Sequence, residues 1–129
     1  MLADYDPVPT LAVKDQQRAK EYYEGVLGFT PKHEGPDGVF YGAGSGAIFV
    51  YVSAYAGTNK ATAVSIQVPE GSFDAEVSEL RDKGVAFQTF EMEGITWTDG
   101  VASFGDDYRA VWFEDPDGNI LNVESGSTA

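Results

Sequence analysis

Val13-Lys-Asp-Gln-Gln-Arg-Ala-Lys-Glu-Tyr-Tyr-Glu-Gly-Val-Leu-Gly28 reads as one helix with its start and stop written in. Asp15 is the N-cap, because its carboxylate can accept from the orphan amides of the next turn. Ala19, Tyr22, Tyr23, Val26 and Leu27 recur at i, i+3, i+4, i+7 and i+8, a single apolar stripe to lay on a sheet. Gly28 ends the helix as a left-handed C′ residue. Thr10–Val13 precedes it as a short strand. Strand-like segments follow at Phe29–Glu34, Val39–Tyr41 and Ala47–Val52, separated by Gly35-Pro-Asp-Gly38 and the Gly42–Gly46 turn. The plan then recurs: Thr62–Val68 is a strand, Ser72 an N-cap, and Phe73, Val77 and Leu80 the stripe of a helix that Gly84 stops. Val85–Phe90, Tyr108–Phe113 and Asn119–Glu124 read as strands, the last two joined by the turn Asp115-Pro-Asp-Gly118, and Gly94–Asp107 reads as irregular. The expectation is a single α+β domain of two βαβββ modules, about 7–53 and 62–126, with a linker at about 54–61. The modules complete one curved sheet around a cleft, since a single sheet with one helix leaves half its apolar surface wet.

Composition narrows the partners. The formal charge of −13 and a pI near 4.1 repel phosphate backbones and anionic lipid surfaces, so neither nucleic acid nor membrane is expected. The apolar run Ala47–Val52 is strand-sized, far short of the roughly 20 residues of a membrane span. The N-terminus shows no basic region followed by an apolar one, which makes a cytoplasmic location the expectation. With no cysteine, disulfides, thiolate metal sites and cysteine nucleophiles are excluded together.

The opening Val13-Lys-Asp15, Ala19-Lys-Glu-Tyr-Tyr23 and Val26-Leu-Gly-Phe29, together with the closing Trp112-Phe-Glu-Asp-Pro-Asp-Gly-Asn119, resemble the vicinal oxygen chelate superfamily, the glyoxalase, bleomycin-resistance and extradiol dioxygenase group. The resemblance runs from about Val8 to Glu124. It implies the glyoxalase-like fold, but not one activity: the group contains metal-dependent lyases, isomerases and dioxygenases, and also metal-free proteins that sequester antibiotics. Carried over position by position, its metal ligands fall on Val8, Val50, Ala63 and Asn122, of which only Asn122 has a donor oxygen. A slip of one residue reaches Pro7 or Pro9, Phe49 or Tyr51, Thr62 or Val64, and Leu121 or Val123, again without a histidine or carboxylate. No metal and no cofactor are therefore expected.

Strand alternation nominates the cleft floor. Ser65 and Gln67 point away from the helix side, and taking Asp115 opposite Asn119 sets Trp112 across from Asn122, with Glu124 two residues on. In the first module Phe40 pairs with Val50. The expected ligand-binding set is Phe40, Val50, Ser65, Gln67, Trp97, Trp112, Asn122 and Glu124, a floor suited to a planar or cationic small molecule. Trp97 reads either as a lid or as a subunit contact, Trp112 either as floor or as ordinary core. The acidic residues Glu91, Glu93, Asp99, Asp106 and Asp107 form a solvated rim or ring the opening. Glu124 and the single histidine, His33, are weak acid–base candidates, each with a plain surface alternative. The leading expectation is a metal-independent binder similar to bleomycin-resistance proteins, working as a homodimer and not as an enzyme. The alternative is a glyoxalase-like lyase or isomerase, or a dioxygenase-type enzyme, with a non-standard site.

Overall fold

The structure is a computed structural model that describes residues 1–105 and 108–125. Asp106 and Asp107 of the expected acidic rim lie outside them. Nine strands and two α-helices occur among the described residues, in an α+β arrangement of two sheets. The chain divides into two compact units. One is Met1–Ala63 with Asp115–Asn119; the other is Val64–Glu114 with the segment from Ile120.

The first unit carries a sheet of order β1-β4-β3-β2, from Thr10–Val13 (β1), Thr30–Glu34 (β2), Gly38–Ala43 (β3) and Gly46–Val52 (β4). β1 runs parallel to β4, a pairing that needs a crossover such as the helix after β1 begins; β3 is antiparallel to both its neighbours. The helix begins at Gln16 with Asp15 as its cap, Oδ1 accepting from Arg18 N–H at 3.2 Å. After Gln16–Lys20 (α1) it widens into a π-helical turn, Glu21–Val26, in which Leu27 N–H reaches back to Tyr22 O. The widening sets Tyr23 in the core with no exposed surface, ring-stacked on Tyr41 at 6.0 Å. Gly28 stops the helix at φ +78°.

The β3–β4 register corrects one expectation. Ala43 pairs with Gly46 across a two-residue turn in which Gly44 takes φ +57°, so Phe40 faces Phe49 and Val39 faces Val50. Reading the whole Gly42–Gly46 stretch as the turn misplaces the strand by one residue, and a one-residue slip exchanges the faces. Val50 is a buried core residue beside Ile48, not a floor residue. Its neighbours Phe49 and Tyr51 share the opposite face with Phe40, their rings stacked at 4.3 Å (Phe40–Phe49) and 5.7 Å (Phe49–Tyr51). Gly38 is buried under this row: a Cβ there would meet the Phe49 ring at 2.6 Å.

Asp115 closes the first unit. One of its carboxylate oxygens accepts from the amides of Asp117 and Asn119, the other from Tyr23 Oη–H and Asn119 Nδ2–H, at 2.8–2.9 Å. Asn119 Nδ2 also donates to Ala12 O, and Arg18 and the Lys14 amide both donate to the buried Asp117. A polar turn is thus buried by giving every carboxylate oxygen of Asp115 two donors.

The second unit carries a sheet of order β5-β9-β8-β7-β6: Thr62–Gln67 (β5), Thr96–Thr98 (β6), Val101–Phe104 (β7), Tyr108–Glu114 (β8) and Ile120–Glu124 (β9). Its helix is Glu70–Asp82 (α2). Pro69, not Ser72, holds the N-cap position, since the ring fixes φ at −60° and the helix follows directly; Gly84 ends it at φ +86° as expected. Val85–Phe90 forms no ladder. Among the described residues its one pairing is an isolated bridge, Gln88 to Trp112. The regular structure lies instead in the stretch read as irregular, where Asp99 (φ +51°) and Gly100 (φ +80°) make the two-residue turn of the β6–β7 hairpin.

Candidate functional site

The register of β6 to β9 decides what gathers on each face of the second sheet. Trp97 pairs with Ala102, Ala102 with Ala110, Ala110 with Glu124, and Trp112 with Asn122. Because alternate residues share a face, Trp97, Phe104, Tyr108, Trp112, Asn122 and Glu124 project together. The other face carries Val111, Phe113, Leu121 and Val123, all buried, and takes α2 through Arg109, whose guanidinium lies 4.7 Å from the Phe73 ring centre and bonds Asp74 and Glu70. A helix closes one face; the aromatic face has no helix of this unit on it.

Polar groups form a line along one side of that face. Ser65 Oγ donates to Asn122 Oδ1 at 2.7 Å while Asn122 Nδ2 donates to Val111 O at 3.1 Å, which fixes the fully buried amide. Gln67 Nε2 donates to Glu124 Oε2 at 2.6 Å, and Tyr108 Oη donates to the same oxygen. Both Glu124 contacts converge on Oε2 and hold the carboxylate in place. Around Trp112 stand three rings: Phe90 at 4.9 Å, Trp97 at 6.1 Å and Phe104 at 6.4 Å. Beyond Trp97 lies an open depression of about 640 Å³ lined by Phe90, Met92, Ile95 and Trp97, with Glu91 and Glu93.

Residues 64–129 contain three cationic side chains, Arg81, Lys83 and Arg109. Arg109 serves the helix face, Arg81 sits over Phe87 and bonds Asp99 O, and Lys83 caps α2, its amide bonding Glu79 O and Leu80 O. The aromatic face therefore combines indole and phenyl rings with the Glu124 carboxylate, while the Arg81 and Arg109 guanidinium groups are engaged elsewhere.

The hydrogen bond to Glu124 holds the Tyr108 hydroxyl above its ordinary value of 10.0. Burial, with the Asp115 charge, pushes Tyr22 up to about 12, and the same causes raise Tyr23; Tyr41 is raised by burial and its bond to Glu24. A proton retained only in the folded state stabilises it below the unfolded value, and that contribution drains away as pH rises past 10. Spectrophotometric titration at 295 nm should accordingly find Tyr22, Tyr23 and Tyr41, three of the seven tyrosines, still protonated at about pH 10.5, ionising together as the chain unfolds in stronger alkali.

Of the eight expected binding residues, Ser65, Gln67, Trp97, Trp112, Asn122 and Glu124 share this face. Phe40 is 37% exposed on the first unit's sheet, and Val50 is in that unit's core. His33 is exposed on β2. Sequence reasoning missed Phe90, Phe104 and Tyr108. Tyr108 was within reach, four residues before Trp112 in one strand; Phe104 was hidden by the unrecognised Asp99-Gly100 turn.

The residues at the positions of the superfamily's metal ligands do not suit an ion. Val8 and Ala63 have no donor side chain, Val50 is core, and Asn122 has both its amide atoms engaged. Among the described residues, no group of three or more His, Cys, Asp or Glu is placed to hold a metal. None of their helices is long and apolar enough to cross a membrane.

A family model described as the Glyoxalase/Bleomycin resistance protein/Dioxygenase superfamily matches residues 7–123. No curated protein matches the chain. Similar solved structures include an integron cassette protein from the mobile metagenome of the Halifax Harbour sewage outfall, with TM-score 0.67, 16% identity, and coverage of 95% of this chain and 100% of that one. The genomically encoded fosfomycin resistance protein FosX from Listeria monocytogenes, complexed with Mn(II) and sulfate, gives TM-score 0.69 at 14% identity, covering 96% and 91%. A glyoxalase/bleomycin resistance protein/dioxygenase from Alicyclobacillus acidocaldarius gives TM-score 0.67 at 17% identity, covering 93% and 91%. At these identities the likeness is one of fold.

Proposed function

This chain belongs to the glyoxalase/bleomycin resistance protein/dioxygenase superfamily, and within it we propose a metal-independent binder of planar cationic small molecules, resembling the antibiotic-sequestering members. The observation that carries the proposal is the aromatic face of the second sheet, where rings surround Trp112 beside a carboxylate anchored by two donors. A flat cation gains from such a surface twice, by stacking on the indole and by attraction to the ring faces and Glu124. Ser65, Gln67 and Asn122 fix the polar side; Phe40 enters as part of the first unit's own aromatic row. A cytoplasmic homodimer is part of the same reading.

The test is a titration of the planar cation proflavine, followed by dye anisotropy at low and moderate salt. Glu124→Gln, which keeps the shape of the side chain and removes its charge, should weaken binding about 5-fold and flatten the salt dependence. Unchanged affinity and salt dependence in that variant would remove Glu124, and the preference for cations, from the site.

A further inference from the structure

Between the Gln88–Trp112 bridge and the start of β6 runs a strap, Thr89–Ile95, that is tied to the sheet in an unusual way. The last main-chain bond before it is Gln88 N–H to Trp112 O at 2.8 Å, and the β6–β7 ladder starts only at Thr96. Within the strap, the ring contacts are those of Phe90, edge-on to Trp112 at 4.9 Å and 77°, and edge-on to Trp97 at 5.3 Å and 75°. Phe90 nevertheless stays 38% exposed. The strap also borders the open depression, so space adjoins it, and Gly94 turns the chain there at φ +85°.

A ring 4.9 and 5.3 Å from the two indoles stands in the space that a ligand stacking on them would enter. Edge-to-face contacts between aromatic rings are weak enough for a second flat π-system to replace them. We propose that Phe90 is a latch: in the ligand-free protein it fills the ring surface of Trp97 and Trp112, and a bound planar ligand takes its place as the strap swings toward the depression. The inference rests on the reading of this face as the binding site. It adds that the chain's affinity is held down by its own side chain, since only the fraction of molecules with Phe90 displaced can bind.

Phe90→Ala removes the competitor without touching a strand, and Phe90→Leu keeps apolar bulk without the aromatic edge. Proflavine affinity should rise about 5- to 10-fold in Phe90→Ala and by a smaller factor in Phe90→Leu, while Trp112→Ala loses the dye. If Trp112→Ala loses the dye but the Phe90 variants bind it equally or less tightly, Phe90 is inert or a clamp; the latch is overturned and the binding face stands. If Trp112→Ala binds like the parent, or the parent itself does not bind the dye, the face itself is wrong and the latch falls with it.

Discussion

Replacing Asp115 by alanine should cost about 4 kcal/mol of folding stability, a fall of roughly 15 °C in the thermal midpoint. The carboxylate is 4% exposed and is the acceptor for Tyr23 Oη–H, Asn119 Nδ2–H and the amides of Asp117 and Asn119. Alanine leaves these donors without that acceptor, and each buried orphan costs about 1–3 kcal/mol, partly recovered by local relaxation and water. Asp115→Asn keeps the volume and one acceptor oxygen and should lose about half as much. Asp74→Ala is the comparison: its bond to Arg109 is 2.7 Å, but its side chain is 83% exposed, so the loss should stay under about 1 kcal/mol. Urea unfolding of the three variants measures the ranking. Equal losses for Asp115→Ala and Asp74→Ala would show that the buried turn is not a keystone.

Trp112→Ala should weaken proflavine binding by about 30-fold or more, the loss expected when an aromatic at the centre of a contact surface is truncated. Trp112 is that centre because Phe90, Trp97 and Phe104 pack around it and Asn122 is its cross-strand partner. Trp112→Phe retains a stackable ring on the same strand and should recover most of the affinity; recovery distinguishes a stacking role from a merely structural one. Anisotropy titrations of both variants, with far-ultraviolet circular dichroism to verify the sheet, decide it. A Trp112→Ala chain that holds the dye as firmly as its parent would move the site elsewhere.

The parts of this fold legible in the sequence are those marked by a local rule. Asp15, Gly28 and Gly84 mark helix ends by capping chemistry, and the Asp115–Asn119 turn sets the Trp112–Asn122 register, which then places Glu124 and Ser65 on one face. What could not be read was set by choices a composition does not reveal. Gly42–Gly46 offers several turn centres, and only the structure picks the one that pairs Phe40 with Phe49. The Val, Phe and Thr content of Val85–Phe90 suits a strand, yet among the described residues its pairing stops at one bridge. The Asp99-Gly100 dipeptide was a readable signal, and noticing it would have set Phe104 on the site face beside the already expected Trp97.

The Asp115–Asn119 turn clusters with residues 1–63 although its strands do not. For a chain emerging from the ribosome, this fixes an order of events. The first unit is unfinished when its first 63 residues have appeared, because Tyr23 and Ala12 still wait for partners near the other end of the sequence. At about 5–20 residues per second, the wait lasts several seconds. During that interval water stands in for Asp115 as the acceptor of the Tyr23 hydroxyl, and the first unit completes its buried polar turn only once residue 119 has been added.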